Sequence, residues 1–179
     1  MRIISGTLKG RRFSPPKSFS ARPTTDIARE SLFNVLNNRL FFADLKALDL
    51  FGGTGSISYE LASRGCEDVT TVELNYKHYN FIKSMIKEFG LESQVNVLKG
   101  DVFKYLSRCH DKFDLVFADP PFDLPTLDTI PDHFFKQNLL AEEGVFIMEH
   151  SDKKSFANHP NFTEVRKYGK VHFSFFEMK

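Results

Sequence analysis

The chain has 179 residues, of which 41% are hydrophobic and 26% charged, and its formal net charge is +1; this composition is typical of one soluble globular domain. It contains no apolar run of transmembrane length and its start lacks the apolar core of a signal peptide, so we expect a cytoplasmic protein without membrane contact. Cys66 and Cys109 lack C-x-x-C spacing and the six histidines are scattered, which argues against a disulfide scaffold and indicates no metal site.

Residues 1–22 form a basic segment. The first acidic residue of the chain is Asp26, and the cations before it are Arg2, Lys9, Arg11, Arg12, Lys17 and Arg22. Interspersed apolar residues, glycines and prolines predict a small extended or hairpin element. Because a cluster of one sign on a nearly neutral protein concentrates the electric field where a polyanion would dock, we favour a phosphate-binding surface over a merely solvated terminal segment.

A helix is predicted to follow this segment. Thr24 or Thr25 is a suitable N-cap, and Asp26 is favourable in the first turn. Apolar residues then recur at helical spacing from Ala28 to Leu36, and the pattern fades near residues 37–38.

Residues 45–74 predict a strand, a glycine loop, a helix and a second strand, and the rest of the chain is organised around them. The apolar run 47–51 ends at Gly52-Gly53-Thr54-Gly55, helical spacing covers 57–64, and extended character resumes at 69–74. Adjacent glycines let the backbone approach a ligand closely. With Asp49 at the rim of the loop and Glu73 at the end of the second strand, the pattern fits a ligand that carries a ribose.

The glycine loop alone leaves two alternatives open. The dinucleotide fingerprint G-x-G-x-x-G requires a third glycine, but the spacing Gly53, Gly55 reaches Ser58, which weakens an assignment to NAD. Glycine-rich turns between a strand and a helix also occur without any ligand.

The remaining chain alternates predicted helices and strands. Helices are expected at 77–89 and 102–109, strands at 95–98, 113–118 and 145–149, and a hairpin at 162–177. The run 113–118 is apolar at nearly every residue, as in a parallel strand that is buried on both faces.

Asp119-Pro120-Pro121-Phe122 follows that buried strand directly. The two prolines fix a rigid turn and leave carbonyl acceptors beside the Asp119 carboxylate, and Phe122 adds a flat apolar surface. Such a group suits a planar ligand edge with an NH2, as in a nucleobase or an amide. The alternative is a turn that only ends the strand. The carboxyl end of a parallel strand is, however, where open α/β sheets bind ligands.

Together these motifs resemble the class I S-adenosylmethionine (SAM)-dependent methyltransferases that modify exocyclic amines. Two stretches are similar to the N-terminal signature of the RsmD family, the bacterial 16S rRNA guanine-N2 methyltransferases. They are MRIISGTLKGR at the start of the chain and RPTTD-x-x-RESLFN, which begins at Arg22. The resemblance covers nearly the whole chain and is weakest at 124–160. It implies an α/β Rossmann-like fold: a mostly parallel seven-stranded sheet with helices on both faces and a C-terminal antiparallel hairpin.

The resemblance also implies roles for individual residues. Glu73 would hold the ribose hydroxyls of SAM, Asp49 would lie near its amino group, and Asp101 would accept from the adenine amine. The cofactor set comprises Asp49, Phe51, Gly53, Gly55, Glu73, Leu74, Asp101, Val102 and Thr24. The catalytic set comprises Asp119, Pro120 and Phe122. The substrate set comprises Arg11, Arg12, Arg22, Arg29 and Pro121.

We therefore expect a monomeric, single-domain enzyme over residues 1–179, with 1–22 as a basic arm, that uses SAM and no metal to methylate the N2 amine of a guanine in 16S rRNA of the small ribosomal subunit. Two alternatives remain open. An N6-adenine methyltransferase acting on RNA or DNA shares the Asp-Pro-Pro-aromatic turn. An RNA-binding assembly factor would keep the fold without turnover.

Overall fold

A computed structural model describes residues 1–19 and 25–179 of the chain. Its centre is a seven-stranded sheet with the strand order β3-β2-β1-β4-β5-β7-β6. The strands are β1 (Lys46–Leu50), β2 (Asp68–Glu73), β3 (Val95–Lys99), β4 (Phe113–Ala118), β5 (Leu140–Ser151), β6 (Phe162–Tyr168) and β7 (Val171–Glu177). The first five strands pair in parallel, and β7 pairs antiparallel with both β5 and β6. The predicted α/β fold with a C-terminal hairpin is confirmed.

Helices cover both faces of the sheet. They are α1 (Asp26–Asn37), α2 (Ser56–Ser63), α3 (Tyr76–Phe89), α4 (Val102–Leu106) and α5 (Ile130–Lys136). Buried residues of α1, α2 and α3 belong to the hydrophobic cluster on one face, and those of α4 and α5 belong to the cluster on the other. Among the described residues, no helix is long and apolar enough to cross a membrane.

The helix ends are set by capping groups. The side chain of Thr25, not Thr24, caps α1 by accepting from the backbone N–H of Ala28 at 3.2 Å. Asn75 caps α3 in the same way, and Gly90 ends that helix in the left-handed conformation. The predicted helix 102–109 ends earlier, at Leu106.

Two elements differ from the prediction. Helix α5 was not predicted; it begins beside Pro131, which is compatible with a first helical turn, and buries Ile130 and Phe134. Strand β5 begins at Leu140 and not at residue 145, because Leu140 pairs with Phe113 ahead of an irregular stretch of the β4–β5 register that contains two exposed glutamates.

The first residues of the basic segment fold back on themselves. Arg2 and Arg12 form an antiparallel bridge, and the Ile3 N–H donates to the Arg11 carbonyl at 2.9 Å. The turn is fixed to α2, where the Glu60 carboxylate accepts from the Ile4 N–H at 2.7 Å and from the Ser5 N–H at 3.0 Å. Residues 1–13 are therefore a packed hairpin that leaves Arg2, Arg11 and Arg12 at the surface. Residues 20–24, with the predicted site residues Arg22 and Thr24, lie outside the described residues.

Candidate active site

The candidate site lies where the parallel strands end. Asp49 is on β1, Glu73 is the last residue of β2, and Asp119 follows β4 directly. These strands are neighbours in the order β2-β1-β4. Since the carboxyl ends of parallel strands meet at one edge of a sheet, the fold brings the three predicted carboxylates to the same edge.

The glycine loop between β1 and α2 has a backbone conformation that most side chains disfavour, and Phe51 adopts it as well as two glycines. Phe51, Gly53 and Gly55 all have positive φ, at 65°, 57° and 80°. A Cβ on Gly55 would lie 2.3 Å from the Tyr59 ring, and one on Gly52 would lie 2.4 Å from the Thr71 Cγ2. The loop thus passes close to the second strand and to its own helix, and its backbone lines an open edge. Gly52 was not among the predicted site residues, although the adjacent glycine pair was visible in the sequence.

The Glu73 carboxylate is tied to the glycine loop. One oxygen accepts from the Gly53 N–H at 2.8 Å, and the other accepts from the Asn75 N–H at 2.6 Å. His78 Nδ1 lies 3.9 Å from the carboxylate. Because an ionised carboxylate has about four acceptor positions, these two backbone bonds fix its orientation and leave capacity for two hydroxyl donors. This arrangement fits the vicinal hydroxyls of a ribose.

Asp49 is held by a residue that sequence reasoning did not assign. Its Oδ2 accepts from the Ser58 hydroxyl at 2.6 Å, and that hydroxyl also contacts the Thr71 hydroxyl. Burial raises the pKa of Asp49 to about 7; the hydrogen bond from Ser58 opposes the rise, and the charge of Glu73 adds to it. A cationic ligand group beside Asp49 would therefore meet a carboxyl group that gains or loses its proton near neutral pH. Ser58 occupies the place of the third glycine in the dinucleotide fingerprint, so the departure from that fingerprint has a structural role here.

The predicted adenine-binding residues lie one strand further out. Asp101 caps α4 by accepting from the Lys104 N–H at 2.9 Å, and Val102, the first residue of that helix, is buried. Leu74, next to Glu73, is 63% exposed and offers an apolar surface at the same edge. The first N–H groups of a helix have no partner within the helix, which suits Val102 for donating to a ring nitrogen.

The Asp119-Pro120-Pro121-Phe122 turn continues the β4 ladder. The Asp119 N–H donates to the Leu50 carbonyl of β1 at 3.4 Å, and the Leu124 N–H donates to the Pro121 carbonyl at 2.9 Å. Pro120 is buried and Pro121 exposed. The Phe122 ring is 45% exposed, which is unusual for a large apolar side chain and leaves a surface on which a planar group can stack.

The predicted substrate arginines separate into two groups. Arg11 and Arg12 are exposed, and Arg11 lies 5.7 Å above the Phe89 ring at the end of α3. Arg29, in contrast, is fully buried: it donates to the Arg2 carbonyl and, at 2.9 Å, to Asp26. Burial lowers the pKa of Arg29, and the charge of Asp26 opposes that shift. A direct contact with substrate does not suit this position, because the guanidinium is used inside the protein to join the arm to α1.

Comparisons with known proteins agree with this geometry. The protein named "Ribosomal RNA small subunit methyltransferase D" of Escherichia coli K12 is 30% identical over 151 residues, which are 83% of this chain and 74% of that protein. The solved structure of hypothetical protein TTHA0928 of Thermus thermophilus has a TM-score of 0.85 and 26% identity over 99% of both chains. SMU.776, solved in complex with SAH, shares the fold at a TM-score of 0.66 and 17% identity over 84% of this chain and 49% of its own.

The fold and the site together define a class I SAM-dependent methyltransferase, and SAM is its cofactor. A family model described as "Conserved hypothetical protein 95" matches residues 1–177. The chain belongs to this family, which is the RsmD family.

Proposed function

We propose that this protein methylates the exocyclic N2 amine of a guanine in 16S rRNA of the small ribosomal subunit. The observation that carries the proposal is the Asp119-Pro120-Pro121-Phe122 turn, one strand from the glycine loop, in a chain 30% identical to a protein named for methylating small-subunit rRNA. This edge combines acceptors for an NH2 group with a ring on which a base can stack.

On this proposal, the β4 side holds the amine. The Asp119 carboxylate and the Pro120 carbonyl accept hydrogen bonds from the two N–H groups of the amine. Phe122 stacks on the base, which has left the stack of the RNA. The nitrogen lone pair of guanine N2 is delocalised into the ring, and two acceptors favour a more tetrahedral nitrogen with a directed lone pair. Holding two reactants in such geometry can lower a barrier by about 7 to 11 kcal/mol.

The bound cofactor supplies an activated methyl group on a sulfonium. Methylation of N2 by that group would require the amine to lose one proton, which Asp119, or water beside it, would take. Glu73 would hold the ribose hydroxyls of the cofactor, Asp49 would lie by its amino group, Asp101 would accept from the adenine amine, and the Val102 N–H would donate to the adenine ring.

The arm extends the proposal to the rest of the substrate. Arg11 and Arg12 are exposed on a hairpin that α2 holds rigidly through Glu60, so they present fixed positive charge to a phosphate backbone. We propose that this contact positions the rRNA.

We also propose that the protein is a single domain and acts as a monomer.

A labelling experiment tests the proposal. Small subunits from a strain that lacks this protein would be incubated with the protein and methyl-labelled SAM, with naked 16S rRNA and DNA beside them, and then digested to nucleosides. We expect label in N2-methylguanosine. Label in N6-methyladenine would replace the proposal with adenine methylation. Absence of label in every substrate, with SAM still bound, would favour a non-catalytic RNA-binding role.

A further inference from the structure

A further carboxylate lies at the edge of the sheet where Asp119 lies. Glu149 is near the carboxyl end of β5, the strand next to β4 on the side away from the glycine loop. The β4–β5 register pairs Phe117 with Ile147 and Ala118 with Met148, so the ladder brings Glu149 level with Asp119. Neighbouring strands lie about 4.8 Å apart.

Glu149 and Asp119 follow the same face of the sheet. Phe117 and Ile147, each two residues earlier, both belong to the hydrophobic cluster under α1, α2 and α3. Because side chains alternate along a strand, a step of two residues returns to the same face. Asp49, two residues after Ala47 of that cluster, lies on this face as well.

The burial of Glu149 is costly for the fold. The residue is 3% exposed and lies opposite Phe173 of the neighbouring strand β7. Val145 and Ile147 precede it on the same face of β5. Burying a carboxylate is far less favourable than burying an aliphatic side chain, even where the carboxylate is hydrogen-bonded. Apolar packing alone therefore does not account for a glutamate at this position. Glu149 has an interaction partner within the protein, but a carboxylate has about four acceptor positions, so one partner leaves capacity for a donor on a ligand at the adjacent turn.

The order of the strands separates two functions along the edge. Glu73, which is tied to the glycine loop, and Asp49, which is tied to Ser58 of α2, are on β2 and β1, where the cofactor would bind. Glu149 is on the far side of Asp119, where only the target base remains to be held.

We propose that Glu149 recognises the target base: its carboxylate accepts the N1–H of the guanine whose N2 amine is held by Asp119 and the Pro120 carbonyl. This inference rests on the proposed guanine-N2 function. In guanine, the amine and the N1–H are adjacent donors on one edge. In adenine and cytosine, the ring nitrogen beside the amine carries a lone pair, which repels a carboxylate. A second carboxylate next to the amine-binding turn thus selects guanine.

The test compares two bases at one position. After the methylated guanine is located, 16S rRNA with either guanine or 2-aminopurine there would be made by ligation and assembled into small subunits. 2-Aminopurine keeps the N2 amine but has a lone pair at N1 and lacks O6, so the Glu149 variant below is needed to assign a preference to N1. We expect the wild-type protein to methylate it at least about tenfold less efficiently, since sites built to bind a donor reject analogues without it.

Glu149→Gln supplies the second comparison, because its amide can donate to the N1 lone pair. We expect kcat/KM on guanine to fall at least about tenfold, the preference over 2-aminopurine to narrow by a similar factor, and the Kd for SAM to stay within about twofold. Glu143→Gln, an exposed residue of the same strand, is the matched control and should behave as wild type.

The outcomes separate the inference from the proposed function. If wild type forms no N2-methylguanosine, the proposed function fails before Glu149 is tested. If it forms N2-methylguanosine but accepts 2-aminopurine equally well, Glu149 does not recognise N1–H. An unchanged base preference in a folded Glu149→Gln protein also overturns the inference. If the variant does not fold, equal methylation of the two bases by wild type still overturns the inference.

Discussion

The two halves of the active site are held by different kinds of interaction. On the β1–β2 side, hydrogen bonds fix each carboxylate: Ser58 donates to Asp49, and the backbone of Gly53 and Asn75 donates to Glu73. On the β4 side, two prolines fix the backbone of the turn, and the Phe122 ring is left partly in solvent. On our proposal, the first half binds a cofactor of constant shape, and the second presents an apolar surface on which a base stacks.

This difference predicts that substitutions will separate into two classes. Changes on the β4 side should remove transfer while SAM still binds. Changes on the β1–β2 side should weaken SAM binding itself. A variant that lost both functions equally would contradict the division.

The largest effect is expected at Asp119. Asp119→Ala should lower methyl transfer at least about 100-fold, because the amine loses an acceptor that orients it and takes its proton. The Kd for SAM, measured by calorimetry, should change by less than a few-fold. Asp119→Asn should retain more activity than the alanine variant, because an amide oxygen still accepts. Asp123→Ala, an exposed acid just beyond the turn, serves as the control. Loss of SAM binding in Asp119→Ala would show that the two halves are not independent.

The next effect is expected at Glu73. Glu73→Ala removes the acceptor of two backbone N–H groups and, on our proposal, of two ribose hydroxyls. Hydrogen bonds to charged groups contribute about 1.5 to 3 kcal/mol, so SAM should bind roughly 10- to 100-fold more weakly. Calorimetry measures this directly, and Glu67→Ala in the exposed turn before β2 is the matched control. Unchanged affinity would remove Glu73 from the cofactor site.

Asp49 should make SAM binding depend on pH. Its pKa of about 7 in the free protein means that it is largely protonated below neutrality, whereas a bound cationic amine would keep it ionised. Binding then releases a proton below pH 7, so affinity should rise with pH by up to about tenfold per unit and level off above 7. Asp49→Asn should remove this dependence.

Ser58 offers a finer control on the same carboxyl. Its hydrogen bond lowers the pKa of Asp49, so Ser58→Ala should raise the pH above which the affinity for SAM stops increasing. If the affinity for SAM changes over the same pH range in wild type and in Asp49→Asn, a group other than Asp49 causes the pH dependence.

The sequence predicted the strands on the β1–β2 side better than the rest of the chain, for physical reasons. Strands buried on both faces are apolar at most positions, as in β1 and β4, and the β-branched run 69–72 likewise predicts β2. Asp49, Glu73 and Asp119 each stand near the end of one of these strands. Glu149 ends a comparable run, but the strand alone gave no reason to assign it to a site. Helix α5 was missed because Pro131 and the neighbouring threonine and aspartates are typical of turns.

Arg29 shows what a resemblance cannot supply. The motif placed it among the substrate contacts, yet its spacing to Leu32, Phe33 and Leu36 puts it on the buried stripe of α1. Helical periodicity is therefore consistent with its burial. Its partners, the Arg2 carbonyl and Asp26, depend on how the arm folds over α1, and that tertiary arrangement is not encoded in local spacing.

The smallest expected effect concerns the arm. Replacing both Arg11 and Arg12 with alanine should weaken RNA binding only a few-fold at about 0.2 M salt, because the rest of the RNA-binding surface is unchanged, and by roughly tenfold more at about 0.05 M salt, where phosphate contacts contribute most. The slope of log affinity against log salt should fall by about 1.4 to 1.8, which is about 0.7 to 0.9 for each phosphate that an arginine no longer neutralises. The charge-matched control replaces Arg108 and Lys136, which are exposed on the α4–α5 side. Since Glu60 holds the hairpin through backbone N–H groups, the variant should keep the wild-type melting temperature. An equal loss of slope in the control would mean that the arm has no special role, and that net charge alone attracts the RNA.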